Sequence, residues 1–181
     1  MRKIIAINET YKESALELVE TVFTEYSDAQ EGKVVRRLVE EIRRKRFYIP
    51  ELELVAIDAQ DNIIGYAMFS RFHMEGKYEN ELLILTPVAV KTDLQRQHIS
   101  KDLIEYGFEC AKKMGYKAVL VEGNPQNYRA RGFVTSADYG IVAGESVHLP
   151  AIECLMVKEL VNGALDNMAG TVEYYDYESL V

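Results

Sequence analysis

The run Leu82-Leu83-Ile84-Leu85-Thr86-Pro87-Val88-Ala89-Val90 constrains this chain more than any other stretch. Its first four residues are apolar at every position rather than at every second one, which marks a strand buried on both faces. A chain holding such a strand needs a covering layer on each side of its sheet. Pro87 adds a second constraint. It has no N–H to donate, so in a central strand it belongs at a bulge or where pairing stops. A strand whose pairing ends there leaves the peptide groups of Val88, Ala89 and Val90 free for an extended ligand.

Hydrophobic periodicity supplies the layers. A short strand is expected over Lys3–Ile7, followed by a helix capped by Asn8 or Thr10 with Ala15, Leu18, Val19, Val22 and Phe23 inward. A second helix is expected over Lys33–Arg46, with Val34, Val35, Leu38, Val39 and Ile42 inward. Strands at Glu51–Asp58 and Ile63–His73 flank the turn Ala59-Gln60-Asp61-Asn62. Beyond the central strand, Ile99, Leu103, Tyr106, Cys110 and Met114 predict one helical stripe, which Gly115 ends. A strand over Lys117–Glu122, a short helix from Pro125 capped by Asn124, and strands near Phe133–Val142 and Ile152–Val157 follow. The order is mixed α/β, with antiparallel hairpins first and a strand–helix–strand unit later.

At roughly 100–200 residues per domain, the 181 residues predict a single domain over 1–181. The apolar run Ile4–Ile7 is too short for a signal peptide or a membrane span. Cys110 and Cys154 form no CxxC pair and read as reduced thiols of a cytoplasmic protein. With three scattered histidines they offer no metal-ligand cluster. The net charge of −8, from 29 acidic and 21 basic residues, opposes a nucleic-acid partner and suits a cationic substrate. Arg43-Arg44-Lys45-Arg46, with Arg36 and Arg37 upstream, reads as a solvated helix end favoured by the dipole. The tail Glu173-Tyr174-Tyr175-Asp176-Tyr177-Glu178 reads as a last strand with a solvated face, or as the wall of a site for a cationic substrate or a dimer partner.

Gln95-Arg96-Gln97-His98-Ile99-Ser100 opens the third long helix. Unpaired N–H groups and the dipole at such a start make an anion site, to which Gln95 and Arg96 add donors. A strand that offers backbone groups, then a loop that holds phosphates, meets the needs of a long pantetheine-pyrophosphate cofactor. In these residues the chain resembles the GNAT N-acetyltransferase superfamily. Thr86–Val90 followed by Gln95–Ser100 is similar to its acyl-CoA pyrophosphate motif, Q/R-x-x-G-x-G/A. Gly123-Asn124-Pro125-Gln126-Asn127-Tyr128-Arg129-Ala130-Arg131-Gly132-Phe133 is similar to G-D/N-P-x-x-Y-x-x-x-G-F of its YhbS-like bacterial subgroup. His148-Leu149-Pro150, Leu160 and Gly163-Ala164-Leu165 extend the likeness. The loop departs from the motif at His98 and Ser100, which stand where it has glycines.

The resemblance implies a mixed, mostly antiparallel central sheet flanked by helices on both faces and splayed between the strand ending at Val90 and Lys117–Glu122. It implies acetyl-CoA as cosubstrate and transfer of an acetyl group to a primary amine, of a small molecule or a peptide, by direct attack in a ternary complex. In that reading Val88, Ala89 and Val90 pair with the pantetheine arm. Gln95, Arg96, Gln97, His98, Ile99 and Ser100 hold the pyrophosphate, with Lys101 near it. Tyr128 stands where the resemblance implies the acid for the leaving thiolate, and an ordinary tyrosine is protonated at neutral pH. For the base, Glu122 has the opposite parity to Val119 and Val121, Glu81 starts the central strand, and a water chain is a third choice. No metal, nucleic acid or membrane is implied, and a homodimer stays open. The alternative is a non-catalytic acyl-CoA-binding or protein-interaction module with a degenerate version of the fold. His98 and Ser100 support it; the pairing of Tyr128 with the Gly132-Phe133 turn opposes it.

Overall fold

The computed structural model describes residues 1–181. The strand predicted to be buried on both faces runs over Leu82–Val90 (β4), and Leu82, Leu83, Ile84 and Leu85 are at most 3% exposed. It lies at the centre of a seven-stranded sheet. On one side stand β3 (Ile63–Arg71), β2 (Glu53–Ile57) and β1 (Lys3–Ala6), each antiparallel to its neighbour. On the other stand β5 (Ala118–Glu122), parallel to β4, then antiparallel β8 (Leu155–Glu159) and β6 (Val134–Thr135). The remaining strands, β7 (Ile141–Ala143) and β9 (Gly170–Val172), form a separate parallel pair.

Alternate residues of the central strands enter two different cores. Leu82 and Ile84 join Ala118 and Leu120 under α1 (Lys12–Tyr26) and α2 (Ala29–Arg43). Leu83 and Leu85 join Val119 and Val121 under α3 (Ile99–Lys113). The period of two in a strand thus divides one apolar run between both layers.

Several boundaries differ from the sequence expectation for local reasons. Asn8 caps a single 3₁₀ turn, Glu9–Tyr11, by accepting from the Thr10 N–H at 3.0 Å, and α1 follows it. Helix α2 begins four residues before Lys33, because Asp28 caps it at the Glu31 N–H, 2.8 Å away. Its first turn, Ala29-Gln30-Glu31-Gly32, shows little apolar periodicity, yet Gly32 is buried against Thr24 and Glu20 of α1. The strand expected from Glu51 starts at Glu53 after a 3₁₀ turn at Pro50–Leu52. The stretch near Phe133–Val142 is two short strands parted by a 3₁₀ turn at Ser136–Tyr139, and another such turn, Ile152–Cys154, precedes β8.

The inward stripe of α3 is also rotated from expectation. Ile99 and Leu103 are buried, but so are Ile104, Gly107, Phe108 and Ala111, whereas Tyr106 and Met114 are exposed and Cys110 half-buried. Small residues carry the contact: a Cβ on Gly107 would overlap the buried Phe69 ring. Hydrophobicity alone favours the flank with the larger side chains and misses this.

The basic stretch after Ile42 is only partly solvated. Arg43 reaches under the sheet edge, where Nε and Nη2 donate to Glu53 Oε1 at 2.8 and 2.6 Å. Glu53 is fully buried and also accepts from Tyr66 at 2.7 Å and from Tyr48. Removing Arg43 would leave a buried carboxylate without its cation, a loss of about 3–5 kcal/mol. The tail is likewise not a strand. Residues 173–179 follow β9 as a strap: Tyr174 and Tyr177 are buried, and the Glu41 carboxylate accepts from the Glu178 and Ser179 N–H groups.

The Gly107 contact makes the first prediction. Alanine at an ordinary helix position gains about 1 kcal/mol over glycine, but overpacking this ring costs about 1–3 kcal/mol. Gly107→Ala should therefore lower the urea midpoint of unfolding; a raised midpoint would show that α3 can slide away from Phe69 without loss.

Candidate active site

Strands β4 and β5 run together only briefly. They pair over Leu82–Ile84 and Ala118–Leu120, and beyond Ile84 they part. On its other side β4 keeps its partner: Val88, Ala89 and Val90 face Ala67, Tyr66 and Gly65 of β3. Pro87 does not end that ladder. Thr86 and Pro87 together oppose Met68 as a bulge, and the Thr86–Pro87 peptide is cis. The missing donor is absorbed where two residues face one.

Alternation decides which peptide groups are free. The Lys91 N–H donates to Ile64 at 3.0 Å, so the polar groups of Ala89 also point to β3, while those of Val88 and Val90 point into the gap. The Val90 carbonyl accepts from Gln95 Nε2 at 3.3 Å. Of the three residues expected to offer free peptide groups, Val88 and Val90 turn theirs toward the gap, and Ala89 is engaged by Tyr66.

The chain then makes a 3₁₀ turn at Thr92–Leu94 and enters α3 through an irregular loop. Arg96 and His98 both have φ of 63°, the left-handed region. His98 therefore keeps the backbone shape that glycine adopts freely, at a cost of roughly 1–2 kcal/mol. Its side chain is exposed, and Ser100 lies half-buried in the first turn of α3. From Arg96 to Lys101, six consecutive N–H groups have no acceptor in the protein. Such a run of amides at a helix start is an anion-binding nest. Lys101 turns along α3 to Glu105 at 3.3 Å, and the Gln97 carbonyl is taken by Arg2 Nη2 at 3.0 Å.

Across the gap, β5 ends at Glu122. Its carboxylate is exposed and accepts from the Tyr174 hydroxyl at 2.9 Å. Glu122 shares its strand face with Ala118 and Leu120, the side of α1 and α2. Asn124 then caps α4 (Pro125–Tyr128) by accepting from the Gln126 N–H at 3.0 Å. Tyr128 folds over Gly123, where a Cβ would stand 2.7 Å from its ring, and meets Phe133 edge-on at 5.7 Å. Phe133 in turn packs on Phe108 of α3, so Tyr128 belongs to the α3 layer, as does Val88. Its hydroxyl has no hydrogen-bond partner in the protein. Burial pushes its pKa up, against a smaller opposing pull from the Arg131 cation.

Glu81 is not brought to this gap. It precedes β4 at the opposite end, roughly 23 Å from Val88 at about 3.3 Å per residue, and its carboxylate pairs with Lys117 at 2.7 Å. A start-of-strand position put it in register with the start of parallel β5, away from the parting. Sequence patterns missed Arg2, and they placed Tyr174 in a tail that could wall a site without marking Glu122 as its partner. Tyr174 lies 52 positions from Glu122 and Arg2 lies 95 from Gln97, so no local spacing marks either.

Comparison with known proteins agrees with this arrangement. The sequence model of the Acetyltransferase (GNAT) family matches residues 15–139. The uncharacterized N-acetyltransferase YhbS of Escherichia coli K12 is 28% identical over 148 residues, 81% of this chain and 84% of that protein. The uncharacterized N-acetyltransferase YjhQ of the same strain is 28% identical over 153 residues, 83% of this chain and 82% of that one. The crystal structure of E. coli YhbS in complex with CoA superposes with a TM-score of 0.84 at 24% identity, covering 97% of this chain and 90% of that one. A GNAT-family acetyltransferase from Brucella melitensis in complex with acetyl-CoA gives 0.73 at 21% identity, covering 97% and 96%.

The tyrosines around the gap make a prediction about pH. Burial raises the pKa of Tyr128, and burial with the neighbouring Glu122 carboxylate raises that of Tyr174; burial also raises Tyr66, Tyr48 and Tyr177. A tyrosine raised on folding lends stability that is complete below the ordinary value of 10.0 and is lost as pH climbs through the folded value. Urea stability should hold to pH 9 or so and fall above about pH 10, with the buried tyrosines ionising only as the chain unfolds. Tyrosinate absorbance that rises in full before any loss of structure would contradict this.

Proposed function

Because the chain belongs to the GNAT acetyltransferase family, we propose that it binds acetyl-CoA in the gap between β4 and β5 and passes the acetyl group to a primary amine by direct attack. The observation that carries the reading is the continuous backbone surface from Val88 to Lys101. The free polar groups of Val88 and the free N–H of Val90 lead into six unpaired amides at the start of α3. The first part suits an extended amide-bearing arm, the second a pyrophosphate. The residues present therefore fit the cosubstrate, and the exposed side chain at His98 leaves the amides in place.

In this reading Val88 and Val90 extend the strand ladder to the pantetheine arm. Gln95 braces the turn through the Val90 carbonyl, and Arg96, Gln97, His98, Ile99, Ser100 and Lys101 direct their N–H groups to the phosphates. Acetyl-CoA supplies an acyl group activated as a thioester. Glu122 receives the proton of the incoming ammonium, directly or through water, and leaves a neutral amine to attack. Tyr128, protonated at neutral pH, donates its free hydroxyl proton to the departing sulfur, and the second proton shed by the nitrogen as the amide forms returns to the tyrosinate, directly or through water. The hydrogen bond from Tyr174 holds the Glu122 carboxylate in place. Because Glu122 lies on the α1/α2 side and Tyr128 in the α3 layer, amine and thioester approach from opposite faces of the sheet. Glu122 has no cation of its own within ion-pair distance, which suits a cationic acceptor.

The test separates binding from chemistry. Acetyl-CoA at 100 times its dissociation constant should stabilise the protein by about 2.7 kcal/mol, a rise in melting temperature of roughly 5–10 °C for this length, with ATP inert at the same concentration. Tyr128→Phe and Glu122→Gln should each lower kcat by about 10²–10⁴-fold for primary amines, read as free thiol released, with acetyl-CoA affinity changed far less. No thermal shift at millimolar acetyl-CoA would move the chain to the non-catalytic module. A full rate in Tyr128→Phe would remove that residue from the mechanism.

A further inference from the structure

Arg2 precedes the edge strand β1, far in sequence from the phosphate loop, yet its guanidinium is built into that loop. Nη2 donates to the Gln97 carbonyl at 3.0 Å and to Asp102 Oδ2 at 2.6 Å, while Nε donates to the same oxygen at 3.1 Å. Asp102 is the first residue of α3 whose N–H is satisfied, by the carbonyl of His98 at 3.0 Å. One side chain thus ties down both ends of the left-handed residue at position 98, the peptide before it and the helical turn after it.

The geometry points to Arg2 as a positioning residue that holds the nest open in place of the glycine that the motif has at position 98. In a trans peptide the carbonyl and the next N–H point in opposite directions. Fixing the Gln97 carbonyl on Arg2 therefore turns the His98 N–H the other way, toward the side where an anion would sit. A glycine at 98 would reach φ of 63° unaided, whereas a histidine there favours relaxing to the right-handed region and swinging that amide out of the set. The planar fork suits the task, since a lysine cannot hold a carbonyl and a carboxylate in one fixed geometry. The ion pair itself is a third exposed, so its weight lies in the shape it imposes rather than in global stability. This rests on the proposed binding of CoA in the same loop.

A double-mutant cycle read by calorimetric binding of CoA tests it, with no acceptor amine required. Arg2→Ala should weaken CoA about tenfold, the weight of one left-handed non-glycine residue, and should weaken adenosine 3′-phosphate 5′-diphosphate, which has the pyrophosphate but no pantetheine arm, by the same factor. In the His98→Gly background the same Arg2→Ala change should cost less than about threefold, because glycine needs no clamp. The urea midpoint should change little when Arg2→Ala is introduced in either background. An equal loss in both backgrounds would show that Arg2 acts only through its charge, and no loss in either would show that it does not act on the loop; each result overturns the assignment. Failure of the unaltered protein to bind CoA would instead overturn the functional reading beneath it.

Discussion

The parting of β4 from β5 is the constraint on which the rest of the molecule depends. Two parallel strands that pair over three residues and then diverge leave peptide groups that a sheet would otherwise satisfy internally. Exposed backbone of that kind is costly when buried without a partner. The protein manages it by ending β5 in the exposed Glu122 and a capped turn, and by turning β4 straight into the loop that leads to α3. The Pro87 bulge keeps β4 bound to β3 across this region, so the gap opens on one side only. Without that continuing ladder the Val88–Val90 segment would be a loose loop, not a fixed edge.

Two cores hold the parted strands from outside. On the α3 side, Phe69, Phe108, Phe133 and Tyr128 form a chain of aromatic contacts that carries position from the middle of the sheet to the Tyr128 hydroxyl. Gly107 and Gly123 permit that chain, one by admitting Phe69 and the other by seating Tyr128. On the α1/α2 side the tail performs the equivalent task. The Glu173 carboxylate accepts from the Glu145 and Ser146 N–H groups, the Ser146 hydroxyl oxygen accepts from the Tyr174 N–H at 2.7 Å, and Tyr174 then reaches Glu122. His73 meets Asp176 at 2.7 Å further along the same strap.

What was legible in the sequence follows from how local the cause is. The central strand, the Asn124–Pro125 cap and the helix α3 with its stop at Gly115 were readable, because apolar runs, caps and glycine stops act over a few residues. The inner face of α3 was not, since Gly107 and Ala111 are chosen by the shape of Phe69 and its neighbours, not by their own hydrophobicity. Arg43 looked like a solvated helix end until its partner, the buried Glu53, was known. Glu81 was misplaced because strand direction in the β4–β5 pair is a property of topology: once the two are parallel, both strand starts lie at the end away from the gap. The tail offered aromatic and acidic composition, from which a wall for a site could be read but not which tyrosine faces Glu122.

The same distinction bears on His98. Counted by motif, a histidine where related loops have glycine is a lost feature. Counted by conformation, nothing has been lost: φ stays at 63°, the six amides stay free, and the imidazole stands in solvent. Glycine is required at such a position either because a Cβ would collide with the ligand or because the backbone must be left-handed. The second requirement is met here at an energetic cost, and contacts from elsewhere in the fold can offset that cost. A motif scored residue by residue cannot register such an exchange, because the group proposed to compensate, Arg2, lies outside the motif, just before β1. The degenerate loop is therefore a weak reason to call the chain a non-enzyme, and the intact backbone surface is the stronger observation.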